Sequence, residues 1–227
     1  MRRTMAKASV YTALNLLFFA LIGTALLALT YQLTEKPIAR SEEKEKLKLI
    51  TQIAPVSVYD NDIMKDTRQL PADELLGNDD TSIAYLGRQK GRPTIVILQA
   101  AAPDGYNGKI HLIIAVRSDG PNNGKIGGVR VISHKETPGL GDYIEIAKSK
   151  WIAAFDGKSL DEPKDGEWKV KKDGGAFDYM SGATITPRAV VKAVHKALQY
   201  FALHRDELFK QDHPSGVDTG NGQGVKQ

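Results

Sequence analysis

The 227-residue sequence contains no cysteine. Disulfides, thiolate metal sites, iron–sulfur ligation and cysteine nucleophiles are therefore all excluded. Its histidines, His111, His134, His195, His204 and His213, fall into no HxH or HExxH spacing, so no metal site is visible. No GxGxxG follows a strand pattern, which leaves nothing to bind a dinucleotide. A dominant charge is also missing, since 31 basic side chains stand against 27 acidic ones for a net charge of +4. The basic residues are scattered without interleaved aromatics, which argues against a nucleic-acid partner. Internal repeats are absent. With 41% hydrophobic residues, the chain suffices for one well-buried domain plus an appendage and is short for two.

What is present begins near the N-terminus. From Ala8 to Thr34 there is no charged residue, and LNLLFFALIGTALLALTYQL is apolar over about 20 residues, the length that crosses a bilayer core at roughly 1.5 Å per residue. A cleaved signal peptide would carry an apolar region of roughly 7 to 15 residues and end in a small-residue site. Here the run continues through Leu29, Tyr31 and Leu33 with no A-x-A. Residues 1–34 accordingly read as a short N-terminus and an uncleaved anchor, with Tyr11 and Tyr31 at the two interfaces. Arg2, Arg3 and Lys7 precede the span while Lys36, Arg40, Lys44, Lys46 and Lys48 follow it, so the local count does not set its direction. Long domains cross largely regardless of charge, and the expectation is a cytoplasmic N-terminus with the folded domain on the far side.

Residues 35–82 read as a stalk and connecting segment. EKPIARSEEKEKLKLITQIAP places Leu47, Leu49, Ile50 and Ile53 at helical spacing, which predicts an amphipathic helix. Residues 83–210 read as the folded domain. SIAYLG, PTIVILQAAA, KIHLIIAVRS and KIGGVRVIS are strand runs separated by KGRP, APDGYNG and DGPNNG, which predicts an antiparallel meander. A helix is predicted from Ile144 to Phe155 with Asp142 as its cap, then a short strand EWKVKK, then a long helix from Pro187 to about Leu208. In that last helix Val191, Val194, Leu198 and Phe201 form one apolar stripe. Residues 211–227 have the composition of a disordered tail. The fold class is α+β: an antiparallel β-sheet packed with helices, preceded by one N-terminal transmembrane helix.

Two stretches stand out. In SGATITPRAV, residues 181–190, three hydroxyls precede the long helix. Thr186 before Pro187 predicts an N-cap. Ser181 and Thr184 are not needed for that, and Gly182 with Ala183 lets a bulky group approach the backbone. A helix N-terminus suits a phosphate, yet on the residues alone capping without a ligand is the more economical reading. In SHKETPGLGDYIE, residues 133–145, Pro138, Gly139 and Gly141 fix a tight turn that gathers His134, Glu136, Thr137 and Leu140. This is either a plain strand-to-helix loop or one wall for a flat aromatic ligand. His134 and Glu136 as an acid/base pair would lack a nucleophile or metal nearby.

Through APDGYNGKI, HKETPGLGD and WKVKKDGGAFDYMSGATITPRAVVKAV, in this order behind one anchor, the chain resembles the G subunits of Rnf electron transport complexes. It is more distantly similar to the C subunit of the sodium-pumping NADH:quinone oxidoreductase. The resemblance covers nearly the whole chain, and SGAT shows no departure. It implies that a flavin transferase joins the phosphate of FMN to the hydroxyl ending SGAT, here Thr184. It further implies that Ser181, Gly182, Ala183 and Ile185 shape the phosphate and ribityl pocket, and that Glu136, Thr137 and Leu140 contact the ring system. Lys171 or Lys172 would balance the phosphate or simply face solvent. Tyr143, Trp151, Trp168, Phe177 and Tyr179 are stacking candidates or ordinary core. The implied setting is the bacterial inner membrane, with a periplasmic domain among the other Rnf subunits, in a complex coupling electron flow between ferredoxin and NAD to ion movement. One span without an intramembrane charge leaves the ion path to those partners, and the chain would be an electron carrier without complete turnover. The alternatives are an anchored binding or assembly module whose elbow is only a helix cap, and a secreted solute-binding domain.

Overall fold

The structure, a computed structural model, describes residues 2–210; the tail expected over 211–227 lies outside the described residues. One compact unit ends at Lys48. Its backbone belongs to α1, Arg2–Ile53, with Pro37 inside the helix. The anchor and the amphipathic segment, expected as separate elements, are thus one continuous helix. Ser9–Ile38 is long and apolar enough to cross a membrane, and its apolar window is unburied. Within it the Thr30 and Thr34 hydroxyls donate back to the carbonyls of Leu26 and Thr30, each at 2.8 Å. The helix itself therefore satisfies polar groups that lipid would leave unpaired.

The second unit begins at Leu49. It is built on five antiparallel strands that pair in chain order: β1 Thr67–Leu70, β2 Ser82–Gln89, β3 Arg92–Ala102, β4 Ile110–Arg117 and β5 Ile126–Ser133. The four apolar runs of the sequence are β2 to β5. The addition is β1, whose residues TRQL are too few and too polar to announce a strand. It is held by pairing, with Thr67 opposite Tyr85 and Leu70 opposite Ser82.

Strand side chains alternate between faces, so an unbroken apolar run means that both faces are covered. Val96, Leu98, Leu112 and Ile114 enter a large core against α2, Ile185–Leu208. Ile95, Ile97, Ile113 and Ala115 enter a second core with Ile50, Ile53, Ala54, Ile63 and Tyr85. Residues 49–53, the last turn of α1, close that second face. β5 gives them a flat seat at Gly127 and Gly128. A Cβ on Gly128 would stand 2.7 Å from Ile53 Cγ2, and one on Gly127 would stand 3.0 Å from the Ile53 carbonyl oxygen. Beside the seat, buried Arg130 donates from Nε to Gln52 Oε1 at 2.9 Å and from Nη1 to the Val129 carbonyl at 2.7 Å. Burial lowers its pKa, and the charge of Asp156 offsets part of that.

On the α2 side an aromatic cluster stands where a helix and a strand were predicted. Residues 144–155 are not one α-helix: 142–144 and 150–155 are separate 3₁₀ turns. EWKVKK contributes only a bridge between Val170 and Phe177, and Lys171 and Lys172 sit in a further 3₁₀ turn, 171–173. The reason is packing. Phe155 is fully buried, with ring centroids 4.7 Å from Phe177, 5.5 Å from Trp151 and 6.3 Å from Trp168, and short turns bring large rings to one centre in a way that a regular helix would not. Trp168 and Phe177 are therefore core.

His195 of α2 stacks on Trp168 with centroids 4.9 Å apart. Its Nε2 lies 3.1 Å from Asp165 Oδ1 without hydrogen-bond alignment, and that carboxylate is 84% exposed. Burial lowers the pKa of His195, and Asp165 offsets only part of the shift. The unfolded chain takes up this proton near pH 6.5 while the folded chain resists it. Stability is thus fully present above about pH 6.5 and is lost as pH falls from there toward the folded-state pKa. In a pH series of urea midpoints, His195→Phe should flatten this acid limb. An unchanged limb would assign the proton uptake to another group.

Candidate functional site

The elbow at 178–186 is held by hydrogen bonds from outside itself. Within it, the Ala183 N–H donates to the Met180 carbonyl at 3.1 Å, and Gly182 has φ +88°, a left-handed conformation that costs glycine nothing. Tyr143 Oη accepts from the Met180 N–H at 3.3 Å. The Trp151 indole N–H donates to the Asp178 carbonyl at 2.7 Å, and Lys171 pairs with Asp178 at 2.6 Å on the surface. Tyr143 is buried and its pKa is pushed up to about 12, so the phenol stays neutral at physiological pH. Tyr143 and Trp151, expected as stacking candidates or ordinary core, pack on each other and clamp the elbow backbone.

The sequence misplaces the cap. α2 begins at Ile185, and Thr184 is the N-cap residue by backbone: its carbonyl accepts from the Arg188 N–H at 3.4 Å, while its side chain makes no capping bond. Thr186 sits inside the first turn at 1% exposure, and its hydroxyl donates to Glu136 Oε2. A buried hydroxyl needs a partner, and a carboxylate 50 positions away supplies one that no local motif reveals. Pro187 is the third helical residue, where its missing N–H would have had no intrahelical acceptor in any case. Capping therefore does not occupy the Thr184 hydroxyl.

Glu136 joins three segments. At 5% exposure, its Oε1 accepts from the Asn107 N–H at 3.0 Å and its Oε2 from Thr186. Asn107 Nδ2 also donates to Thr137 Oγ1 at 3.1 Å. A Cβ on Gly141 would meet Glu136 Oε2 at 2.8 Å and Thr186 Oγ1 at 3.2 Å, which is why the turn needs glycine there. The Glu136 N–H donates to His134 Nδ1 at 3.0 Å. That leaves the ring proton on Nε2, 2.7 Å from Glu145 Oε1. The side chains of His134 and Glu136 thus engage different partners and form no acid/base pair. Asp142, expected to cap a helix, instead accepts from the Gly139 N–H at 2.8 Å.

Between these segments lies a cleft of about 120 Å³. Glu136, Thr137 and Leu140 line one wall, and Gly182, Ala183, Thr184 and Ile185 the other. Of the residues expected to shape the pocket or contact the ring system, Ser181 alone falls outside the lining, next to it in the chain and exposed; Lys171, Lys172, Tyr143, Trp151 and Tyr179 do not line it either. Tyr106 also lines the cleft, and the only sequence signal for it was an aromatic inside the APDGYNG turn. Exposed apolar side chains border the elbow and cleft: Tyr106 at 64%, Leu140 at 39%, Tyr179 at 39%, Met180 at 40% and Ile185 at 45%. Such clustering on a soluble surface marks a place that something covers. A larger cleft of about 280 Å³ lies between residues 73–79, 101–104 and α2. Ion pairs Lys192–Asp104 at 2.5 Å and Lys196–Glu74 at 3.1 Å flank it, and no elbow residue reaches it.

Residues 105–199 match the FMN-binding domain family, and residues 3–53 match the RnfG N-terminal region. The chain is 47% identical over 215 residues to the G subunit of the ion-translocating oxidoreductase complex of Pseudomonas aeruginosa strain UCBPP-PA14, covering 95% of this chain and 97% of that protein. It is 44% identical over 201 residues to the protein of the same name from Vibrio cholerae serotype O1 strain M66-2, covering 88% and 94%. For Shewanella oneidensis the figures are 43% over 198 residues, 87% and 92%. The chain belongs to the family of G subunits of ion-translocating oxidoreductase complexes. In this family member the FMN-binding domain match, 105–199, includes both walls of the cleft.

The elbow has groups that suit the phosphate end of an FMN. The Thr184 hydroxyl is free of capping. The first-turn amides of Ile185 and Thr186 have no intrahelical acceptor and suit a phosphate. A Cβ on Gly182 would stand 3.5 Å from Leu140 Cδ1, filling space between the two walls. The cleft takes only part of such a molecule, and the exposed apolar border offers the remaining contact.

Proposed function

We propose that this chain is a membrane-anchored, covalently flavinylated electron carrier of an Rnf-type ferredoxin:NAD oxidoreductase complex. The observation that carries the proposal is the Thr184 hydroxyl, left without a capping bond in front of α2 inside the FMN-binding domain. FMN supplies the redox chemistry when bound, and the protein supplies position and electrostatics. A flavin transferase joins the FMN phosphate to Thr184 Oγ as a phosphoester, with net loss of the elements of water. Ser181, Gly182, Ala183 and Ile185 shape the phosphate and ribityl pocket. Thr137 and Leu140 contact the ring system, and Glu136 ties their loop to α2. α1 anchors the chain in the inner membrane with the domain on the periplasmic side, where a phosphoester keeps a flavin that could not readily be replaced. Other Rnf subunits exchange electrons with it and contain the ion path, because α1 carries no charge between Ala8 and Thr34.

The test is the intact mass of the chain coexpressed with a flavin transferase. The expected gain is one FMN less one water, localised by digestion to the tryptic fragment 173–188. An unshifted mass, under conditions that label a control flavoprotein, would leave an anchored assembly module without a redox role.

A further inference from the structure

We propose that Glu136 sets the reduction potential of the flavin at Thr184, holding it low by keeping an uncancelled negative charge in the wall of the cleft. The inference rests on the flavin reading above and goes beyond it by assigning Glu136 an electrostatic task.

Glu136 is 5% exposed and lines the cleft together with Thr184. Buried carboxylates are normally paired with a cation. Among the described residues Glu136 forms no ion pair, and its two acceptor bonds come from neutral donors, the Asn107 amide and the Thr186 hydroxyl. In α2, Arg188 pairs with Asp173 at 2.5 and 2.6 Å, and Lys171 pairs with Asp178 at 2.6 Å; Lys135, the residue before Glu136, is exposed and forms no ion pair with it. His134 takes the Glu136 N–H on Nδ1 and turns Nε2 toward Glu145, so its side chain makes no contact with the Glu136 carboxylate.

Hydrogen bonding alone does not demand a carboxylate here. A glutamine would offer its carbonyl to the Asn107 N–H and its amide to the Thr186 oxygen, because a hydroxyl can donate or accept. What glutamate adds is charge. In a partly dry cleft a fixed negative charge acts over several ångströms with less screening than in water. Negative charge added to a flavin bound beside it would meet repulsion, which would favour the oxidised form. Gly141 leaves the room that Oε2 occupies, and the Asn107 N–H and Thr186 hydroxyl hold the carboxylate there.

The experiment is a redox titration, followed by flavin absorbance, of the flavinylated full-length chain in detergent. Glu136→Gln should raise the reduced-to-oxidised ratio at fixed ambient potential about tenfold, a positive shift of about 30 mV for a two-electron couple. Glu136→Asp, which keeps the charge, should stay near wild type. If the glutamine variant does not fold, Glu136→Met gives the same readout with similar volume and no charge. A charge-free variant within twofold of wild type overturns the inference and leaves the flavin reading standing. So does an aspartate variant that moves as far as glutamine, since the cause would then be geometry. A wild-type chain that takes up no FMN at Thr184 overturns both.

Discussion

Thr184→Ala should abolish covalent FMN completely while leaving the fold intact. Replacing a working N-cap threonine by alanine costs typically about 1 kcal/mol. Here the side chain makes no capping bond, so the change should stay within about 0.5 kcal/mol, and wild type and variant should unfold together. Thr184→Ser keeps a hydroxyl at the same backbone position and should still be labelled. Thr186→Val provides the complementary case. It keeps the Thr184 hydroxyl and removes a donor from buried Glu136, so labelling should persist while stability drops by about 1–3 kcal/mol. Intact mass and in-gel flavin fluorescence of denatured protein read the first effect, and denaturation midpoints the second. A mass shift that survives in Thr184→Ala would move the attachment to Ser181 or Thr186.

Gly128→Val should be among the most damaging single changes outside the elbow. Its Cβ alone would stand 2.7 Å from Ile53 Cγ2, 2.9 Å from Ile53 Cβ and 3.2 Å from Ile53 Cα, so no rotamer of Ile53 escapes it and the last turn of α1 must lift. Ile50, Ile53 and Ala54, each at 1% exposure or less, would lose contact with the sheet. At about 1.5–3 kcal/mol for each large side chain brought back to water, the expected loss is about 3–5 kcal/mol. Gly166→Ala is the control, because nothing lies within 4 Å of a Cβ there, and it should change stability by less than about 0.5 kcal/mol. Urea midpoints of the full chain in detergent compare the two. Equal midpoints would mean that Ile53 is not seated on β5.

The difference between these two glycines cannot be read locally. In KIGGVRVIS the glycines look like weak points in a strand, and only the docked Ile53 explains them. The elements that were legible are those whose cause lies within a few residues: the charge-free span, the apolar runs of β2 to β5 between turn residues, and the stripe of α2. Those that were not legible depend on distant partners. β1 exists because β2 offers it an edge. Residues 142–144 and 150–155 form separate 3₁₀ turns because Phe155 is gathered with Trp168 and Phe177 from later in the chain. At the candidate site, sequence brought out both walls of the cleft but assigned the cap to Thr186, whose hydroxyl answers to Glu136. It offered Tyr143 and Trp151 as stacking rings or ordinary core; they pack edge to face on each other, and their polar tips also hold the elbow backbone, which nothing local reveals. Tyr106 was missed because an exposed aromatic in a turn has no pattern around it.

The sheet pairs in chain order from β1 to β5, so a chain emerging N-terminus first can add each strand to the one before it, closing only short loops. The cleft is different. Its parts come from residues 106, 136–141 and 182–186, and the last of these lead into the helix that covers the sheet. The attachment hydroxyl and the walls around it can therefore meet only after synthesis has passed the start of α2. A chain stopped at Met180 would have every strand and no site.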